Sequence, residues 1–151
     1  MISIAESLVA VAGQPNTGKS TIFSALTGVH QEVGNWPGKT VEKKQARAPL
    51  GQGGYHVVDL PGSYSLHAHS PEERIAVEYL LHTAPDITVV VASALSPERT
   101  LAYALEVMAL ERPMVLALNM TDLAEKNGIH LDAKAIAAKF GVPVVALSAI
   151  C

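Results

Sequence analysis

The segment Gly13-Gln14-Pro15-Asn16-Thr17-Gly18-Lys19-Ser20 constrains this chain more than any other. It follows a short apolar run, Leu8-Val9-Ala10-Val11-Ala12, suited to a buried strand. It leads into Thr21 and a stretch to Thr27 that reads as a helix. In a strand–loop–helix of this kind, loop N–H groups converge on an anion. The helix N-terminus adds partial positive charge. Gly13 and Gly18 let the backbone turn sharply and approach a phosphate closely. The spacing fits G-x-x-x-x-G-K-[ST], the phosphate-binding loop of nucleoside triphosphatases. In that loop Lys19 reaches the outer phosphates and the Ser20 hydroxyl ligates Mg²⁺.

Strand-like and helix-like runs alternate beyond the loop. Strands are expected at 8–12, 55–60, 87–92, 115–118 and 142–147, and helices at 20–27, 71–81, 97–111 and 131–140. Ser70-Pro71 and Ser96-Pro97 each pair an N-cap with proline at the first helical position. Asp132 is expected in the acidic first turn of its helix. The charged run 41–48 reads as an exposed edge strand, and Gly51-Gln52-Gly53-Gly54 as a hairpin turn. Together these predict an α/β domain over residues 1–151: a mostly parallel six-stranded sheet with helices on both faces. After the last strand a covering helix is expected and missing. That implies a fragment of a longer protein or an apolar face that meets a partner, a homo-oligomer included.

Bulk properties narrow the function classes. The chain is 49% apolar and 17% charged, as a globular domain is. Its net charge of −3 and lack of a basic run argue against nucleic acid as a partner. The apolar stretch 87–95 is too short to span a bilayer, and no signal-type core opens the chain, so a cytosolic location is expected. A single cysteine, Cys151, excludes an internal disulfide. His67, His69, Glu72 and Glu73 read as a solvated loop and an acidic helix start rather than an iron site.

Three later clusters bear on the base. Asp59-Leu60-Pro61-Gly62 follows a strand, at the sheet edge where α/β folds bind ligands. There Asp59 can hold Mg²⁺ through a water, and the Gly62 N–H can face a γ-phosphate. Asn119-Met120-Thr121-Asp122 also follows a strand. The Asp122 carboxylate can accept from the ring N–H and exocyclic amine of guanine, a donor pair adenine lacks. At Ser148-Ala149 a backbone N–H can meet the guanine carbonyl. Each cluster alone is an ordinary turn, but their order along the chain is that of a GTP-binding domain.

With these motifs the chain resembles the cytoplasmic GTPase domain of the FeoB ferrous-iron transporter family. The resemblance rests on the Gly13–Ser20 loop, on Val33-Gly34-Asn35-Trp36-Pro37-Gly38-Lys39-Thr40-Val41-Glu42, on Asp59-Leu60-Pro61-Gly62-Ser63-Tyr64-Ser65-Leu66, and on Asn119-Met120-Thr121-Asp122. It implies GTP and GDP as ligands with Mg²⁺, Thr40 reaching metal and γ-phosphate from a first mobile loop, and Asn16 helping to bind K⁺. It also implies a place at the cytoplasmic face of the bacterial inner membrane, with helical and membrane domains in the same polypeptide as partners. The family's acidic residue after the fourth strand is absent from Val91-Ala92-Ser93-Ala94. Ser63 stands where many GTPases carry a water-orienting Gln, so slow hydrolysis is expected. A nucleotide-sensing module with negligible turnover and a soluble ribosome- or tRNA-associated GTPase are the alternative readings.

Overall fold

A computed structural model describes residues 7–28, 31–48, 54–67 and 69–148. Its strands are β1 (Ser7–Gly13), β2 (Glu32–Asn35), β3 (Glu42–Ala48), β4 (Tyr55–Asp59), β5 (Ile87–Ser93), β6 (Met114–Asn119) and β7 (Val144–Ala146). They form one seven-stranded sheet in the order β2-β3-β4-β1-β5-β6-β7. The five strands from β4 through β7 in that order are parallel, while β3 is antiparallel to β4 and β2 to β3. The apolar strands buried on both faces, β1, β5 and β6, are among the parallel ones, whereas the parallel edge strand β7 is largely exposed.

The sheet thus has one strand more than the six expected. All four residues of β2 are exposed, so no alternation of apolar and polar residues marks it. It exists because Glu32 to Asn35 pair with Gln45 to Glu42. The charged strand β3 is therefore not the edge strand it was expected to be. Of the hairpin-type turn at 51–54, residues 51–53 lie outside the described residues, and Gly54 has φ 69°.

The helices are α1 (Lys19–Thr27), α2 (Pro71–Glu78), α3 (Pro97–Met108), α4 (Thr121–Lys126) and α5 (Ala133–Phe140). The Ser70 Oγ accepts from the Glu73 N–H at 3.1 Å, and the Glu73 carboxylate accepts from the His69 N–H at 3.3 Å. This reciprocal capping fixes the start of α2 and occupies Glu73. Ser96 precedes α3 without a side-chain cap bond, and its carbonyl instead accepts from the Thr100 hydroxyl at 2.9 Å. Asp132 is the N-cap of α5 rather than a first-turn residue, accepting from the N–H groups of Lys134 and Ala135. The helix expected over 71–81 divides into α2 and a π-helical turn, Tyr79–Thr83, closed by the Ala84 N–H donating to the Tyr79 carbonyl at 3.1 Å. The short α4 was not expected, since its Asn- and Asp-bearing sequence reads as a turn.

Two apolar clusters cover the two faces of the sheet. One packs Ile75, Tyr79, Leu80, Tyr103 and Val107 onto Ala10, Val58, Val90 and Leu116. The other packs Ile22 and Phe23 of α1 onto Val9, Val11, Val57 and Val91. The alternation of β1 residues between the clusters is the two-residue period of a strand. Helices thus lie on both faces, with α1 the helix of the second cluster among the described residues. Beside it Ile87, Val89 and Leu147 are half-buried, and Val145 is 48% exposed.

Candidate functional site

Four loops meet at the carboxyl ends of the parallel strands. The 14–18 loop follows β1, the 60–67 loop follows β4, Ala94 to Ser96 follow β5, and Met120 follows β6. Gln14, Pro15, Asn16, Gly18, Lys19, Ser20, Thr21 and Gly62 line an open cavity of about 430 Å³ there. Of the residues picked from sequence for the phosphate site, these eight share one concave surface, with Gly62 brought across from the second loop, while Gly13 and Thr17 are buried and not among the lining residues.

The cradle is held from within and from behind. The Gln14 Nε2 donates to the backbone carbonyls of Arg99 at 2.8 Å and Tyr64 at 3.2 Å. The Thr17 hydroxyl donates to the Gln14 carbonyl at 2.9 Å, and the Ser63 N–H donates to the Gly13 carbonyl at 3.1 Å. The Asn119 amide donates to the Thr17 carbonyl at 3.1 Å, tying the base-side loop to the phosphate loop. Gly13 and Gly18 are required by close approach. A Cβ on Gly13 would lie 2.7 Å from the Val91 carbonyl oxygen, and one on Gly18 would lie 2.3 Å from the Asn119 Nδ2. Gly18, at φ 86°, is the N-cap of α1 and offers no side-chain cap, so the first N–H groups of the helix stay available to an anion. Asn16 is also left-handed, at φ 68°, on the exposed lip of the cavity.

Lys19 and Asp59 are both buried and form an ion pair. Burial pushes the Asp59 carboxyl above the usual carboxylate range, against the downward pull of the Lys19 ammonium and, more weakly, of Lys44. The pairing does not fully offset desolvation. Lys19 thus lines the cavity while paired with Asp59. Ser20 lines the same cavity, and Asp59 is joined to it through Lys19, so a hydroxyl at the cavity and a carboxylate one contact behind it are the oxygen groups suited to Mg²⁺.

The base-side cluster is tied together by bonds that sequence did not reveal. Met120 is left-handed at φ 64°, and its sulfur accepts from the Ser93 hydroxyl at 3.6 Å. The Thr121 N–H and hydroxyl donate to the Leu147 carbonyl at 3.0 and 2.8 Å. This joins the Asn119–Asp122 loop to the segment before Ser148. Asp122 sits in the first turn of α4, and the Asn119 Oδ1 is buried without a partner. Ser148 is exposed, and Ala149 lies outside the described residues.

The second loop, from Leu60 and Pro61 onward, is gripped by α3. Glu106 accepts from the Ser65 hydroxyl at 3.0 Å and from the Leu66 N–H at 3.1 Å. The buried Ser63 hydroxyl donates to the Tyr103 hydroxyl at 3.3 Å. Burial pushes the Tyr103 phenol up to about 12, so it remains a neutral partner. Neither Glu106 nor Tyr103 carries a sequence signal, because each acts across some forty residues. Thr40 is not brought to the cavity: it is exposed in the β2–β3 turn, and like Asp59, Asn119, Met120, Asp122 and Ser148 it is not among the lining residues. Among the described residues, no three His, Cys, Asp or Glu side chains cluster as a metal site, and no helix is long and apolar enough to cross a membrane.

The family model for ferrous iron transport protein B matches residues 7–151. The Fe(2+) transporters FeoB of Shigella flexneri and Escherichia coli are each 41% identical over 143 residues, 92% of this chain. The chain spans 18% of the length of those relatives. A crystal structure of the G domain of the T. maritima FeoB iron transporter superposes with TM-score 0.88 at 40% identity, covering 95% of this chain and 88% of that one. A mutant S. thermophilus NFeoB bound to GDP superposes with TM-score 0.88 at 37% identity, covering 94% of this chain and 56% of that one.

Proposed function

The chain belongs to the ferrous iron transport protein B family, and from that premise we propose that it is a GTP-binding, slowly hydrolysing switch. In the longer membrane protein, its GTP state would regulate the passage of Fe²⁺. The observation that carries this reading is the shared cavity of the Gln14–Thr21 stretch and Gly62, tied through Asn119 to the base-side loop. The two loops read as phosphate-binding and base-binding are thereby joined by a hydrogen bond, which supports a single nucleotide site.

In this reading the backbone N–H groups from Asn16 to Thr21 receive the phosphates, and Lys19 leaves Asp59 for the β/γ oxygens. Ser20, Thr40 and, through water, Asp59 would hold Mg²⁺, which supplies further positive charge there. Gly62 presents its N–H to the γ-phosphate. Asp122 reads guanine, with the Ser148–Ala149 backbone at the base carbonyl. Slow turnover follows from Ser63, whose hydroxyl is buried against Tyr103 and too short to orient water. Asn16, left-handed on the exposed lip of the cavity, is the proposed K⁺ ligand. The cation would bring charge where an arginine finger otherwise does.

Titration of fluorescent GDP in Mg²⁺ tests the assignment. Lys19→Ala is expected to weaken binding at least about a hundredfold, since it removes the buried charge on the phosphates. Asp122→Asn is expected to weaken guanine nucleotides by a comparable factor of about a hundred and to favour xanthine nucleotides. Unchanged guanine preference in Asp122→Asn would overturn the base assignment. Equal hydrolysis rates in K⁺ and Na⁺ would remove the cation from the mechanism.

A further inference from the structure

The only tryptophan lies in the β2–β3 loop that carries Thr40, yet it is a core residue. Trp36 is 7% exposed and meets the Tyr79 ring edge-on, with centroids 5.6 Å apart. The Lys43 ammonium stands over its ring, 4.7 Å from the centroid. The Trp36 N–H donates to the Val41 carbonyl and the Lys39 N–H to the Trp36 carbonyl, both at 2.9 Å. These bonds close residues 36–41 into one loop. Thr40 sits inside that loop and cannot travel far while the ring stays seated.

The seat is incomplete in two ways. The indole Nε1 is buried without a hydrogen-bond partner, which penalises the seated state. Between the loop and the α2 side lies a cavity of about 570 Å³, lined by Trp36, Pro37, Lys39, Ile75, Tyr79 and His82 among others. Tyr79 and His82 belong to the π-helical turn, an irregularity that often marks a functional position. The ring is buried in the core with Ile75 and Tyr79, but its donor is unpaired and the residue borders a cavity, so the seat is a latch with a built-in penalty.

We propose that Trp36 is a positioning residue for Thr40. Seated on Tyr79, it holds Thr40 away from the phosphate cavity, and Mg²⁺ with GTP draws the loop over by unseating the ring. The inference rests on the reading of Thr40 as a Mg²⁺ and γ-phosphate ligand. GDP lacks the γ-phosphate, so its affinity is insensitive to the latch. Weakening the latch therefore raises the affinity ratio of GTP to GDP, and it does so only through Thr40.

The test uses a nonhydrolysable GTP analogue and GDP, each with Mg²⁺, on the protein and its variants. In the unmodified protein the single-tryptophan emission is expected to shift to longer wavelength with the analogue and not with GDP. Trp36→Ala is expected to raise the analogue-to-GDP affinity ratio about tenfold, by loss of the aromatic pair and the cation contact. Lys43→Ala, which removes the cation over the ring, is expected to raise it about threefold. Trp36→Phe, which keeps a ring on Tyr79, is expected to return the ratio most of the way to the starting value.

In a Thr40→Ala background, Trp36→Ala is expected to change the ratio by less than about twofold, because the two substitutions are coupled. The same gain with and without Thr40 would overturn the proposal, as would an emission spectrum identical in both nucleotide states. Should Trp36→Ala fail to fold, Lys43→Ala and the emission of the unmodified protein decide it. Thr40→Ala alone leaving analogue affinity intact would break the underlying ligand reading instead, and is scored separately.

Discussion

The phosphate loop and the 36–41 loop sit on the same sheet and are built in opposite ways. Residues 13–18 are tied at Gly13, Gln14 and Thr17 to three other parts of the chain, the 60–67 loop, α3 and the end of β6, and both of their glycines leave no room for a Cβ. Residues 36–41 are held by two backbone hydrogen bonds within the loop and by the burial of one side chain, Trp36, against Tyr79 and under Lys43, with Val41 half-buried beside it. The first is a preorganised cradle, already shaped before an anion arrives. The second is a separable arm, with few bonds to lose when it moves. Local stability follows such differences in contact and burial, and moving parts come from the low end. A switch needs both: a fixed frame that recognises the nucleotide and a loosely seated loop that answers its γ-phosphate.

Substituting like for like in the two loops is the sharpest way to break this contrast. Gly18 and Gly38 are both left-handed, at φ 86° and 69°. Gly18→Ala adds a Cβ 2.3 Å from the buried Asn119 amide, which would have to leave the Thr17 carbonyl. Strain and a lost buried hydrogen bond together are expected to cost about 3 kcal/mol of stability, read by chemical denaturation. The same displacement unhooks the base-side loop, so GDP affinity is expected to fall by about a hundredfold, 2.7 kcal/mol by the usual conversion.

An intermediate effect is expected at Gln14. Its amide satisfies two backbone carbonyls, those of Arg99 and Tyr64, from a buried position. Gln14→Ala leaves both short of a donor and is expected to cost about 1–3 kcal/mol. For a domain of this size that lowers the melting temperature by roughly 2–4 °C per kcal/mol. No loss of stability would mean that the cradle is less tightly tied than its hydrogen bonds suggest.

The same contrast explains what could be read in advance. The cradle is written locally: apolar run, two glycines, lysine and serine, then a helix, all within some twenty residues. The parallel strands are likewise continuous apolar runs. What escaped depends on partners distant in sequence. β2 has no apolar alternation and is a strand only because β3 pairs with it. Glu106 and Tyr103 steady the second loop from forty residues away, and Thr121 anchors the base-side loop to Leu147. Trp36 could be placed in a mobile loop from the motif, but no pattern in that loop announces that Tyr79 seats it. A residue's solvent exposure in such a loop is decided by tertiary contact, which neither period nor propensity encodes.

The smallest expected effect is also the one that tests separability most directly. At Gly38 nothing lies within 4 Å of an added Cβ, so Gly38→Ala carries backbone strain and no clash. That strain, about 1–2 kcal/mol, falls on a turn that can open without disturbing the sheet. Hydrogen exchange is expected to speed up several-fold at the Trp36 and Lys39 amides, whose bonds close the loop. The melting temperature is expected to fall by no more than the few degrees this strain allows, and GDP affinity to stay within error of the unmodified protein, because the cradle does not depend on a closed 36–41 turn. If Gly38→Ala instead lowered global stability as far as Gly18→Ala, the turn would be part of the cooperative core. The division into a fixed cradle and a movable arm would then fail.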